Sequence, residues 1–69
     1  MTEPLRIIVE NSLQIAWDFL DGSGEIDDPQ QTAEVLLGAI KTLVLRGEHR
    51  SLMLSNRAID AFRDFKQAA

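Results

Sequence analysis

The stretch Asp27 to Gly47, DDPQQTAEVLLGAIKTLVLRG, decides the fold, because it carries both a start and a stop signal for one helix. Asp28 is a residue type that accepts hydrogen bonds from the exposed amides of a first helical turn. Pro29 suits the first helical position, and Gln31 stands where a capping-box side chain reaches back to the cap. At the other end Arg46 places a cation at the negative end of the helix dipole, and Gly47 tolerates the positive φ that ends a helix. Between them Ala33, Val35, Leu36, Leu37, Ala39, Ile40, Leu43 and Val44 fall in one arc of about 200° at about 100° per residue. The spacing predicts a helix over 29–46. An arc that wide touches more than one neighbour, so this helix is expected at the centre of the core.

Upstream, Thr2 is a candidate cap for a helix over about 3–20, with Glu3 and Pro4 in its first turn. Its apolar arc, again about 200° wide, holds Leu5, Ile8, Val9, Leu13, Ile15, Ala16, Trp17, Phe19 and Leu20. Ser12 projects into the middle of that arc, where its hydroxyl is expected to bond back to the carbonyl of Ile8. Downstream, Ser55 is a candidate cap for a helix over 55–67, whose apolar side carries Ala58, Ile59, Ala61, Phe62 and Phe65. The segment 48–54, EHRSLML, fits a loop, a short helix or the first turns of the third helix. No strand pattern competes. The expected architecture is all-α: a small three-helix up-down-up bundle of antiparallel helices, helix two central, in a single domain spanning 1–69.

Composition sets further bounds. A chain of 69 residues buries only about 60% of its unfolded surface on folding and needs reinforcement. It has no cysteine, which excludes disulfides and thiolate metal sites and leaves oligomerisation as the simplest device. No apolar run approaches the roughly 18 residues that span a bilayer. The opening MTEPLR is acidic and polar where a signal peptide is basic then apolar, so a cytoplasmic location is expected. The net charge of −4 is divided unevenly. Residues 1–34 carry eight acids against one Arg, and residues 35–69 carry six bases against three acids. Such halves favour packing within one molecule and antiparallel pairing of two.

The loop Asp21–Asp27, DGSGEID, resembles the middle of the calcium loop of the EF-hand family over about a dozen residues, 19–30. With Gly24 as the loop's central glycine, Asp21, Ser23, Ile26 and Asp27 fall on acceptable third, fifth, eighth and ninth positions. The ends depart from the pattern. Phe19 stands where the first aspartate ligand belongs and Gln30 where the bidentate glutamate belongs, which removes about half of the oxygens calcium needs. The degenerate calcium loop is the alternative reading. A connecting loop is the expected one, with Gly22 and Gly24 turning the chain and Asp27 and Asp28 facing the positive end of helix two.

Other chemistry-bearing residues read as structural. His49, the one histidine, has no second His or Cys to complete a metal site. Ser12 has the wrong setting for a nucleophile, and the surrounding NSL resembles the attachment motif of acyl carrier proteins only as a tripeptide in the interior of a helix. No catalytic residue, cofactor or metal ligand is expected. Arg46, His49, Arg50, Arg57, Arg63 and Lys66 form a basic back half, which suggests as an alternative a nucleic-acid-associated regulator, although the acidic whole repels phosphate. The favoured expectation is a non-enzymatic helical interaction module, self-associating as a homodimer. Ile7, Leu45 and Met53 project outside the main apolar stripes, and Trp17 and Val35 lie at stripe edges. These five are the expected interface.

Overall fold

The computed structural model describes residues 4–68. Three helices, α1 (Leu5–Gly22), α2 (Pro29–Leu45) and α3 (Ser51–Ala68), make up nearly all of them, and there is no strand among the described residues. The connections 23–28 and 46–50 are too short to let consecutive helices run anything but antiparallel. The last turns of α3 reach back to the α1–α2 connection, where Arg63 bonds Glu25 and Lys66 bonds Asp27. The path is therefore up-down-up, with α1 and α3 parallel.

The caps of α2 follow the sequence closely. The Asp28 carboxylate accepts the Gln31 amide at 3.1 Å, and Pro29 takes the first helical position. Gly47, at φ +98°, donates to the Val44 carbonyl at 2.9 Å, while the Glu48 amide donates to Leu43 at 3.0 Å. This pair of bonds satisfies carbonyls that the helix end leaves open. α1 ends the same way one loop earlier. Gly24, at φ +74°, donates to Asp21, and the Glu25 amide donates to Leu20. Gly22 remains helical, so Gly24 alone turns the chain.

Two boundaries differ from the sequence reading. Thr2 and Glu3 lie outside the described residues, and α1 begins with Pro4 as the flanking residue rather than a first-turn member: its carbonyl accepts from Ile7 at 2.9 Å and Ile8 at 3.3 Å. α3 begins at Ser51, four residues before Ser55, which is fully buried inside the helix and donates its hydroxyl to the Leu52 carbonyl at 2.8 Å. The reason lies upstream. The Glu48 carboxylate accepts the Arg50 amide at 3.2 Å and both guanidinium arms at 3.0 and 3.2 Å, and Leu54 donates the first helical bond to the Arg50 carbonyl. An acid two residues before the turn organises a helix start that lacks a Ser, Thr, Asp or Asn cap.

The core is built from Ile8, Ala16 and Leu20 of α1, Leu36 and Ile40 of α2, and Leu54, Ala58, Ile59 and Phe62 of α3. All three helix pairs pack together. The α2–α3 contact is the most extensive and the α1–α2 contact the least, so the centre expected at α2 is shared, with α3 touching both neighbours broadly. Three polar residues are buried in the core and each bonds within its own helix: Ser12 to Ile8 at 2.7 Å, as its position in the arc implied, Thr32 to Asp28 at 2.8 Å, and Ser55 to Leu52. Among the described residues no helix is long and apolar enough to cross a membrane.

Candidate interaction surface

In α1 the buried positions are Ile8, Ser12, Ala16 and Leu20, a strict four-residue step. The row one residue later, Val9, Leu13 and Trp17, is half-buried against the core. The row one residue earlier is Ile7, Asn11, Ile15 and Phe19, and its apolar members are 36%, 38% and 50% exposed. The sequence reading placed Ile15 and Phe19 inside the buried arc. They lie on a flank that neither neighbour covers, because α1 buries one ridge between two helices and has apolar surface left over on the side toward α3. That side is identified by Arg63 of α3, whose guanidinium carbon stands 5.3 Å from the centre of the Phe19 ring. The signal for this in the sequence was Ser12: a small polar residue in mid-arc marks where the close contact passes.

On α3 the flank facing α1 carries Leu52, 69% exposed, then exposed Asn56, buried Ile59 and exposed Arg63. Because α1 and α3 run parallel, Leu52 stands at the level of Ile7 and Arg63 at the level of Phe19. The outer α1–α3 face therefore presents Ile7, Ile15, Phe19 and Leu52, with Asn11 and Asn56 between them. The opposite flank of α3 carries Arg57 and Ala61, which with Val35, Gly38, Ala39 and Leu43 of α2 line a shallow open groove of about 580 Å³.

The five expected interface residues separate into two groups. Ile7 and Leu45 are exposed, Leu45 by 87%. Trp17 and Val35 are half-buried and packed on the core, and Met53 is half-buried. Trp17 lines a surface depression with Glu10, Leu13 and Gln14, all of α1. Val35 belongs to the groove between α2 and α3. The five do not share one face.

Charge is polarised along the bundle. The end formed by residues 18–28 and 60–68 carries seven acids against two bases, whereas residues 4–10 and 41–52, at the other end, carry four bases against two acids. The two bases at the acidic end are engaged there. Arg63 grips Glu25 with two bonds of 3.0 and 2.8 Å, and Lys66 meets Asp27 at 2.6 Å. These bonds, with Arg63 foremost and the Ser23 hydroxyl next, pull the Glu25 carboxyl from 4.5 to about 2. Glu48 is likewise lowered to about 2 by Arg50.

These contacts use the loop that resembles a calcium site. Glu25 is held by Arg63, Asp27 by Lys66, and Asp28 caps α2, while Asp21 lies within α1. Among the described residues no group of three or more His, Cys, Asp or Glu is arranged to hold a metal ion. The basic residues of the back half are dispersed: Arg57 lies on the α2 flank of α3 and Arg63 on the α1 flank, Arg46 and His49 are exposed at the other end, and Arg50 pairs with Glu48. Ser12 is fully buried and His49 exposed, so no nucleophile–base pair forms between them. Comparison with protein-family models, with curated proteins and with solved structures returned no match.

Proposed function

We propose that the chain is a non-enzymatic helical interaction module whose partner is a second copy of itself. The observation that carries this reading is the number of large apolar side chains left on so small a surface: Leu5, Ile7, Ile15, Phe19, Leu45, Leu52 and Phe65. Scattered exposed leucines are ordinary, but Ile7, Ile15, Phe19 and Leu52 are grouped on the α1–α3 side around Asn11 and Asn56, and grouped apolar surface of this kind marks an association surface. α1 and α2 bury one row of side chains each and α3 two, which leaves the flanks of α1 and α3 with apolar surface that a second copy covers. Self-association also supplies the reinforcement that a cysteine-free chain of this length lacks.

Sedimentation equilibrium between about 10 and 100 μM, the range in which a modest dimer populates both states, tests the reading. The expected result is a mass that rises from one chain toward two. A mass of one chain throughout that range overturns it.

A further inference from the structure

The outer α1–α3 face and the charge polarity of the bundle together specify how two copies meet. Resting on the self-association reading above, we infer that the dimer forms face to face through Ile7, Ile15, Phe19 and Leu52, with the two bundles antiparallel and related by a twofold axis across the middle of α1.

Three observations select this arrangement. The first is the row itself: Ile7, Asn11, Ile15 and Phe19 follow the buried ridge at a constant one-residue offset, so they form a second ridge that winds beside it by about 40° per step, apolar except for Asn11. The second is size. The bundle measures 39 × 21 × 18 Å, so the outline of a long side is comparable to the roughly 800 Å² that each partner contributes to a stable interface. The third is charge, and it decides orientation. A parallel pair would set two acidic ends together and two basic ends together. The antiparallel pair sets Arg6 and Arg50 of one copy near the acidic end, with Asp18, of the other.

In that arrangement α1 lies on α1 of the second copy. Ile7 of each copy meets Phe19 of the other, and Asn11 and Ile15 flank the axis. An isologous contact of this kind closes on itself and stops at two. Trp17, two residues from Phe19 and so on nearly the opposite flank of α1, stays outside it. Tryptophan emission is therefore expected to be indifferent to dimerisation.

The test uses the full chain, four single variants and one double variant in sedimentation equilibrium, with helical circular dichroism as the check on folding. Ile15→Asp and Leu52→Asp replace partly or largely exposed side chains, so each is expected to keep the helical signal. Each is expected to weaken association about 30-fold or more, as loss of a central anchor does. Arg6→Glu and Asp18→Lys are each expected to weaken it about fivefold, and the double reversal is expected to restore it. Dimerisation that survives both apolar variants overturns the face while leaving self-association standing. Single reversals without effect, or a double variant no better than either, overturn the antiparallel orientation. Tryptophan emission that shifts with concentration moves the interface to the Trp17 flank of α1. A wild-type chain that stays monomeric removes this inference and the reading beneath it together.

Discussion

Glu25 is tied by its side chain to a partner 38 residues away, a surface ion pair that links the α1–α2 connection to α3. Its carboxyl lies well below the ordinary range, at about 2 instead of 4.5, because Arg63 donates to both its oxygens. Unfolding separates the two and returns Glu25 to its usual value. The stabilisation is therefore complete above pH 4.5 and is lost as pH falls toward 2. Glu25→Gln is expected to remove that dependence: urea midpoints of wild type and variant should differ at neutral pH and converge between pH 4.5 and 2. Parallel curves over that range count against the pairing. Glu48, lowered to about 2 by Arg50, contributes less, since a partner two residues away stays close in the unfolded chain. The same contrast explains what could be read at this scale. The Ser12 bond to Ile8 follows from helical periodicity alone. The grip of Arg63 on Glu25 and its stacking on Phe19 depend on how α1 and α3 are rotated about their axes, which no local pattern encodes.

Helix ends were legible where their chemistry is local. Asp28, Pro29 and Gly47 mark α2 in the sequence and hold it in the structure. The start of α3 reads from the sequence at Ser55, with 48–54 open among a loop, a short helix and the first turns of α3, because the group at its start, the Glu48 carboxylate, lies before the turn and works through Arg50. The α1–α2 connection is the instructive element. Its residues resemble a calcium loop, and in the structure they close α1, cap α2 and receive the end of α3. Titration with millimolar calcium is expected to leave the melting temperature and the amide signals of residues 21–27 without any saturable change, because Phe19 and Gln30 occupy ligand positions and the loop acids Glu25 and Asp27 are engaged by Arg63 and Lys66. A saturable response with a dissociation constant below about 1 mM, the weak end of real sites, runs against this expectation.

For the molecule as a whole, the all-α class, the number of helices and their up-down-up path were legible, because amphipathic period and loop length determine them. The choice of buried flank was not. Two arcs of about 200° offer more apolar surface than three helices can bury, and only the packing decides that Trp17 goes in and Phe19 stays out. The unequal contacts also bear on folding. α1 and α2 share the least contact, and α3 contributes Leu54, Ala58, Ile59 and Phe62 to a core that the other two cannot close. Residues 1–49 alone are expected to give a largely coil circular dichroism signal at 25 °C, since an isolated pair of helices with so little shared contact is marginal in water. A cooperative thermal transition in that fragment contradicts the assignment. Because the helix that joins the other two is the last of the three to be translated, α1 and α2 lack their broadest partner until α3 has cleared the ribosome. Throughout synthesis the apolar ridge of α1 waits uncovered, and that interval is when a chaperone has most of this protein to hold.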